Sequence, residues 1–394
     1  MLLAIFLLCL TNNFSHFYNW SPCHLHNLKY TLFGHGPFIS DVDHNDYVDF
    51  ANTLNLPFGH EKFSIDSNPL INSGNYFTTE RLKLINTLCS LLPHLSAFQF
   101  RSSGAESVEA ALRYIRNSFS SKPTIFSIEG SYHGLTLGAQ QLMGKVPSDE
   151  NLIVILPFPT EENVKMIFKI IEDRVQHSPV AIVFEVVQGN HVRALPANFL
   201  HIIMELKSKY PDRVLLCCDD MLCSIRLGNW CSAPNWLNID IFIAGKSWSG
   251  GFPFSLFGIN NQVRSFAGDI LGTTTYGGNP IACEMVLSTI KRIQNNSLFS
   301  HIKICETLIF SEGVKEWEQI SSVYRTECHG LLFGIEMQTI GLAQEAAYNL
   351  LKEGLLCTRI NKLLRFSPAL SIPIELLTDS LKVITFTIKQ LAIH

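Results

Sequence analysis

The chain has 394 residues, of which 47% are hydrophobic and 16% charged, and its formal net charge is −4. This length allows one large α/β domain with a smaller one, or two ordinary domains, and the apolar content excludes disorder as the main state. The charges form neither a basic stripe nor an acidic tail, so we expect no nucleic-acid partner.

The first ten residues, from Met1 to Leu10, are nearly all apolar. They are too few to span a bilayer, which takes about 20 residues, and they lack the positive start and small-residue cleavage site of an export signal. We therefore expect a buried N-terminal segment and no membrane association, with an export signal as the alternative. The eleven cysteines contain no C-x-x-C pair, so we expect reduced core thiols, no metal site and a cytoplasmic protein.

The elements that follow alternate between strand and helix patterns. Residues 34–50 indicate turns and short strands, and residues 107–116 carry apolar side chains at helical spacing (Val108, Ala111, Leu112, Ile115). Short apolar runs at residues 124–128, 152–156, 180–186, 214–218 and 239–244 enclose helical patterns, one of them over 164–175 with Thr160 as its expected N-cap. This order predicts a mostly parallel central sheet flanked by helices, and from about Cys283 a long helix with a smaller α+β unit.

Two of the predicted strands end in residues that can carry chemistry. The run 214–218 leads into Asp219 and Asp220, and the run 239–244 leads through Gly245 into Lys246. Ligands of open parallel sheets bind beyond the carboxyl ends of the strands. Each residue taken alone is more typical of a strand that ends in water.

Three further motifs contain small, hydroxyl or aromatic residues beside glycine. The stretch 102–106 (SSGAE) precedes a helix, whose start suits a phosphate. The stretch 130–134 (GSYHG) offers Tyr132 as a stacking ring, and 273–280 (TTTYGGNP) offers hydroxyls before a helix. An ordinary N-cap or turn is the alternative for each motif in isolation.

In their order along the chain these motifs resemble the class III aminotransferases, which are fold-type-I pyridoxal-phosphate enzymes. The similar stretches are 43–50 (DHNDYVDF), 100–116 (FRSSGAESVEAALRYIR), 129–138 (EGSYHGLTLG), 184–189 (FEVVQG), 215–228 (LLCCDDMLCSIRLG), 244–253 (AGKSWSGGFP) and 274–282 (TTYGGNPIA). The resemblance covers the chain from about residue 34 onwards. It implies an α/β fold with a large cofactor-binding domain over residues 56–285, and a small α+β domain built from residues 1–55 and 286–394.

The resemblance also implies a role for individual residues. Lys246 would form a Schiff base with pyridoxal 5'-phosphate and move the substrate proton, and Asp219 would pair with the ring nitrogen. Tyr132 and Met221 would lie against the ring. Three residues would bind the phosphate: Gly104 and Ala105 at the helix start, and Thr275 from the neighbouring subunit of a homodimer.

Arg365 lies where many class III members bind the substrate carboxylate, although a surface arginine is the alternative. We expect His133 and Arg226 to be structural, and Glu185 to help position the site. Asp220, Val186, Ser102 and Ser224 depart from the usual family residues, which affects the choice of substrate.

The expected reaction moves an amino group between an amine or amino acid and a keto acid or aldehyde. A glutamate-1-semialdehyde-type aminomutase is the alternative, because residues 219–227 align with that branch without a gap. A binding protein with a retired active site is the alternative from another class of function.

Overall fold

The computed structural model of the protein describes residues 31–41, 43–52, 55–61, 77–148, 152–261 and 274–391. The segment from Met1 to Leu10, predicted to be buried, lies outside the described residues. The centre of the fold is a seven-stranded sheet with the spatial order β4-β12-β11-β10-β7-β5-β6. Its strands in chain order are β4 (Ala97–Arg101), β5 (Thr124–Ile128), β6 (Ile153–Leu156), β7 (Val180–Phe184), β10 (Val214–Asp219), β11 (Ile241–Gly245) and β12 (Ser255–Ile259).

The central strands form because their short apolar runs are covered on both faces. Every residue of β5, β7, β10 and β11 is buried, as expected for parallel strands between two layers of helices. The strands β6, β5, β7, β10 and β11 run parallel to one another, and only the pairings of β12 are antiparallel. The mostly parallel sheet predicted from the sequence is thereby confirmed, with ends that differ from the prediction by two residues or fewer.

Helices flank this sheet along the chain. Their bounds are α1 (Thr79–Leu91), α2 (Gly104–Asn117), α3 (Leu137–Leu142), α4 (Val164–His177), α5 (Ala197–Lys209) and α6 (Pro280–Asn295). The prediction of Thr160 as the N-cap of α4 is wrong, because the helix begins at Val164 with Asn163 as its cap residue. The Thr160 hydroxyl instead accepts the N–H of Asn163 at 3.3 Å, which closes the turn before the helix.

Smaller sheets join the two ends of the chain. Strands β1 (Thr31–His35), β2 (Phe38–Asp41) and β3 (Asp46–Asp49) form one sheet with β15 (Leu355–Leu356), and β15 runs parallel to β3. Strands β13 (Val323–His329), β14 (Leu332–Met337), β17 (Leu363–Phe366) and β16 (Thr358–Ile360) form another. The hairpin β8 (Val187–Gln188) and β9 (Arg193–Ala194) follows β7. The domain boundaries at residues 55 and 285 stay a prediction.

The C-terminal helices cover the smaller sheets, as the predicted α+β unit requires. They are α7 (Leu298–Ile309), a π-helical turn (Phe310–Val314), α8 (Lys315–Trp317), α9 (Ile340–Lys352) and α10 (Ile374–Leu391). Within the described ranges, no helix combines the length and apolar character needed to cross a membrane.

One buried ion pair fastens α5 to the central sheet. The Lys207 ammonium contacts the Asp240 carboxylate and donates to the Asn238 carbonyl at 2.7 Å. Asp240 also accepts the Leu216 N–H and the Asn260 side-chain amide, both at 2.8 Å. Both ends of the pair are therefore satisfied by further hydrogen bonds, as a buried pair must be to persist.

Candidate active site

A cavity of about 750 Å³ opens beyond the carboxyl ends of the parallel strands, where open α/β sheets bind their ligands. Seven of the eight site residues predicted from the sequence line it: Gly104, Ala105, Tyr132, Asp219, Met221, Lys246 and Arg365. They come from α2, the loop after β5, the ends of β10 and β11, and β17. Residues up to 261 positions apart in the chain thus surround one space.

Lys246 follows directly after β11 and begins a short 3-10 helix, Lys246–Ser249. Its φ angle is 47°, in the left-handed region that side chains other than glycine rarely adopt and that is frequent at functional sites. Burial lowers the pKa of the ammonium group, and the charge of Arg365 lowers it further. The local environment therefore favours a neutral amine, which is the nucleophilic form.

Asp219 is the last residue of the neighbouring strand β10 and is paired with a histidine. The His133 Nδ1–H donates to Asp219 Oδ2 at 2.8 Å, and both side chains are buried. Burial alone lowers the pKa of His133, but the hydrogen bond and charge of Asp219 outweigh it, so the pKa is raised above the usual value. The second carboxylate oxygen of Asp219 accepts the backbone N–H of Met221 at 3.2 Å.

The adjacent Asp220 has a different task. Its oxygens accept the backbone N–H of Ser224 at 2.8 Å and that of Ser232 at 2.6 Å, and it is not among the residues that line the cavity. Burial raises the pKa of Asp220 to about 6. One of the two consecutive carboxylates thus faces the cavity, while the other holds the loop that follows β10.

The start of α2 forms one wall of the cavity. Ser103 is the N-cap, its hydroxyl accepts the Glu106 N–H at 3.4 Å, and the Glu106 carboxylate accepts the Ser102 N–H at 3.0 Å, an arrangement close to a capping box. The first N–H groups of a helix have no intrahelical acceptor and suit an anion. A Cβ at Gly104 would lie 2.8 Å from the Met221 Cε, so the Met221 side chain would have to shift to accommodate it.

Glu185 comes directly after β7 and connects two loops of the cavity. Its Oε2 accepts the Tyr132 N–H at 2.8 Å and its Oε1 accepts the Gly189 N–H at 3.0 Å. Burial raises the pKa of Glu185 to about 7, against the opposing charge of His133. Tyr132, whose backbone is held in this way, presents a half-buried side chain to the cavity.

The two arginines considered from the sequence, Arg365 and Arg226, lie in different surroundings. Arg365 lines the cavity, and its Nη1 donates to the Gly189 carbonyl and to the Asn190 side-chain oxygen, both at 3.1 Å. Arg226 is fully buried away from the cavity and donates to the carbonyls of Leu331 and Pro368 at 2.7 and 2.8 Å. Arg226 therefore ties together loops that are distant in sequence.

Thr275 does not line the cavity of its own chain, and its side chain is exposed. The turn that carries it rests on the end of β4, where a Cβ at Gly277 would lie 2.3 Å from the Phe100 carbonyl oxygen. Thr275 is thus the one predicted cofactor residue that the chain by itself does not bring to the site.

Some cavity residues carry no signal that the sequence interpretation used. Asn190, beside Arg365, follows the recognised 184–189 stretch, and residues 358–361 enter from the edge of the C-terminal sheet.

No cluster of three or more His, Cys, Asp or Glu side chains with metal-binding geometry is found in the described part of the chain. The nine cysteines within it are free thiols, five of them buried.

Comparison with known proteins agrees with this geometry. Residues 31–388 match the aminotransferase class-III family. The chain is 28% identical over 340 residues to the acetylornithine aminotransferase of Archaeoglobus fulgidus, covering 82% of this chain and 85% of the relative. It is 27% identical over 293 residues to a glutamate-1-semialdehyde 2,1-aminomutase of Legionella pneumophila, covering 68% and 67%.

Solved structures share the fold. A Bacillus anthracis aminotransferase superposes with a TM-score of 0.84 at 18% identity, covering 95% of this chain and 96% of that one. The acetylornithine aminotransferase of Elizabethkingia anophelis superposes with a TM-score of 0.78 at 23% identity, covering 98% and 99%.

The fold and the cavity define an α/β enzyme with a lysine and a carboxylate at adjacent strand ends. The chain belongs to the class III aminotransferase family, whose members transfer amino groups with pyridoxal phosphate. The residues present fit that cofactor. An amine of lowered pKa, a buried carboxylate and a helix start whose first N–H groups suit an anion all border one cavity.

Proposed function

We propose that Lys246 attaches pyridoxal phosphate covalently as a Schiff base, and that Asp219 binds the ring nitrogen during amino-group transfer. The observation that carries the proposal is that both residues lie at the ends of adjacent parallel strands, β10 and β11, and line the same cavity. The bound cofactor supplies an electron-withdrawing ring that stabilises negative charge on the substrate carbon.

Lys246 then acts as the base of the reaction. With cofactor and substrate bound, the Lys246 Nζ would accept the proton from the substrate carbon, hold it as an ammonium group and donate it again as the amino group is transferred. The lowered pKa of Lys246 supports this role, because it increases the fraction of the amine that is unprotonated and able to accept a proton.

The remaining cavity residues hold the cofactor. Asp219, kept in place by His133, balances the positive charge of a protonated ring nitrogen. Tyr132 and Met221 border the space for the ring, and the N–H groups of Gly104 and Ala105 bind the phosphate at the start of α2.

Arg365 is the proposed binding residue for the substrate carboxylate, so the substrates are amino acids and keto acids. Its guanidinium lines the same cavity as Lys246, and its positive charge lowers the pKa of Lys246. A carboxylate placed between them would relieve this repulsion and accept paired hydrogen bonds from the arginine.

A homodimer in the cytoplasm is the proposed state of the protein. Thr275 is exposed and away from the cavity of its own chain, which is what a residue completing a neighbour's phosphate site requires. Three large apolar side chains are also exposed: Leu135 by 54% and Leu137 by 65%, which follow Tyr132 in the sequence, and Tyr276 by 70%, which follows Thr275. A second copy of the chain would cover such surface.

Replacement of Lys246 by alanine tests the proposal directly. Borohydride reduction of the parent protein loaded with pyridoxal phosphate should fix one cofactor to the peptide that contains Lys246, as read by mass spectrometry. Lys246→Ala should lose this label and nearly all turnover. Lys145→Ala is the matched control: Lys145 lies near the site, with its ammonium 6.0 Å from the Tyr132 ring, but it does not line the cavity, so the label should be kept. A label of unchanged yield in Lys246→Ala would refute the assignment.

The second candidate reaction is the isomerisation carried out by an aminomutase, which the similarity to the Legionella enzyme favours. Single-turnover mixing with N-acetylornithine, ornithine and glutamate separates the two. Conversion of the cofactor to its amine form with release of a keto product or aldehyde indicates a transaminase. Isomerisation of glutamate 1-semialdehyde without a second substrate indicates an aminomutase.

A further inference from the structure

A continuous chain of contacts joins the cofactor side of the cavity to its substrate side. Glu185 Oε2 accepts the Tyr132 N–H at 2.8 Å, and Glu185 Oε1 accepts the Gly189 N–H at 3.0 Å. The carbonyl of the same Gly189 accepts a hydrogen bond from Arg365 Nη1 at 3.1 Å. One carboxylate therefore links the backbone beside the proposed ring-stacking residue to the backbone that supports the proposed carboxylate-binding arginine.

The geometry of this link depends on the chemistry of a carboxylate. Both contacts of Glu185 come from backbone N–H donors, so both of its oxygens must accept. Above its pKa of about 7, the ionised carboxylate of Glu185 has acceptors on both oxygens, whereas the amide of glutamine has one acceptor and one donor. The glutamine variant would keep the shape but would place an N–H against an N–H on one side.

Because Glu185 is buried, losing either of its two hydrogen bonds would be costly. The residue is only 6% exposed, and a buried polar group that loses its partner retains the full cost of its desolvation. Gly189 has little freedom to compensate, because a Cβ there would already lie 3.2 Å from the Leu222 side chain. A change at Glu185 is therefore expected to shift the backbone of Gly189, and with it the carbonyl that supports Arg365.

We propose that Glu185 is a positioning residue that couples the orientation of Tyr132 over the cofactor to the placement of Arg365 for the substrate carboxylate. The proposal rests on the proposed function, because it takes Tyr132 and Arg365 as the cofactor and carboxylate contacts. It adds a connection between two parts of the site that approach from different elements, the loop after β5 and the strand β17.

The test measures carboxylate binding without turnover. Succinate, which has neither an amino nor a keto group, is titrated into the cofactor-loaded protein while the cofactor absorbance is followed. Glu185→Gln should weaken succinate binding about tenfold, since loss of one buried hydrogen bond costs on the order of 1–2 kcal/mol. The visible circular dichroism of the bound cofactor should change as well, because the backbone at Tyr132 is released.

A double-mutant cycle shows whether the effect passes through the arginine. In an Arg365→Lys background, Glu185→Gln should weaken succinate binding less than twofold, because the contact it supports is already gone. Equal weakening in both backgrounds would overturn the proposal, as would unchanged succinate binding and circular dichroism in Glu185→Gln.

Asp220→Asn is the matched control. Asp220 is also a buried carboxylate that accepts two backbone N–H groups, but its partners, Ser224 and Ser232, lie outside the cavity. It should lower stability without a comparable change in succinate binding or in cofactor dichroism. Similar changes in both variants would show that general loosening, and not coupling through Glu185, explains the data.

A second variant covers the case in which Glu185→Gln does not fold. Gly189→Ala leaves Glu185 intact but presses a methyl group against Leu222, and it should weaken succinate binding by shifting the Gly189 carbonyl that supports Arg365. Normal binding in this variant would overturn the proposal. Borohydride labelling distinguishes the two proposals. Absence of a label at Lys246 in the parent protein would refute the proposed function. The coupling through Glu185 is tested by succinate binding alone.

Discussion

His133 donates its Nδ1–H to Asp219 Oδ2 across 2.8 Å in a fully enclosed part of the site. Because a carboxylate only accepts hydrogen bonds, this contact fixes the proton of the imidazole on Nδ1. The histidine thereby stabilises the buried negative charge of Asp219 through Oδ2, while Oδ1 accepts the Met221 N–H. We expect a structural role for His133 from the sequence, and the direct contact of His133 with Asp219 gives that role a chemical effect.

Removal of this histidine should slow the reaction without releasing the cofactor. His133→Leu deletes a hydrogen bond to a charged group, which costs about 1.5–3 kcal/mol and corresponds to a loss of kcat of about 10–100-fold. Borohydride labelling should stay at the parent level. Ser127→Ala is the control, because its hydroxyl contacts only the far side of the ring at 3.4 Å. Parent-like kcat in His133→Leu would contradict this role.

The fit between Gly104 and Met221 predicts a steric effect with a defined rescue. Gly104→Ala should weaken pyridoxal-phosphate binding, because its methyl group would lie 2.8 Å from Met221 Cε and overpacking costs about 1–3 kcal/mol. Fluorescence titration of the cofactor measures the change. Combination with Met221→Ala should restore part of the affinity. If the double variant binds no better than the single one, the clash is not the cause.

The ion pair of Lys207 and Asp240 predicts a loss of stability that leaves the active site alone. Lys207→Met strands the buried Asp240 carboxylate, and breaking such a pair costs about 3–5 kcal/mol. Denaturant unfolding should show this loss, whereas kcat of the folded fraction should be unchanged because neither residue lines the cavity. The double variant Lys207→Met/Asp240→Asn should recover part of the stability. A cost confined to activity would refute this interpretation.

Stability should also depend on pH through Glu185. Burial raises the pKa of Glu185 from 4.5 to about 7, so between these values the folded state binds more protons than the unfolded state. Stability is then lost as pH rises through this window, by up to about 3 kcal/mol for this group. In the cofactor-free protein, the stability advantage of the parent over Glu185→Gln should shrink between pH 5 and pH 8.

Thermal unfolding of both proteins across this range measures the effect. The raised pKa of His133 also lowers stability as pH rises, and part of that shift comes from the charge of Glu185, so the comparison reports Glu185 together with its interaction with His133. An advantage that grows with pH would show that the carboxylate is stabilised, and not penalised, by its burial.

Local patterns were sufficient to predict the central sheet, because its strands are continuous apolar runs that end at reactive residues. β5 was predicted to the residue, and the positions of Asp219 and Lys246 at adjacent strand ends followed from the same runs. The cap of α4 was misplaced because Thr160 and Asn163 both have side chains suited to a helix start, and only the backbone geometry decides between them.

Contacts between distant segments could not be predicted in the same way. The link from Glu185 through Gly189 to Arg365 spans 180 positions and uses backbone groups, which leave no mark in the amino-acid sequence. The separate tasks of Asp219 and Asp220 depend on the direction in which each side chain leaves the end of β10. Such relationships become visible only when the strands and loops are assembled.

The residue before Lys246 pairs with the residue that opens β12, since Gly245 is opposite Ser255 in the antiparallel register. The segment between them is therefore a loop whose two ends are clamped together by the sheet, and the main chain of the lysine has a fixed point of attachment. Movement of the Lys246 Nζ between cofactor and substrate must then come from rotation about the bonds of the lysine side chain. Lengthening or loosening that loop would let the Lys246 amine occupy more positions and would make its placement less precise.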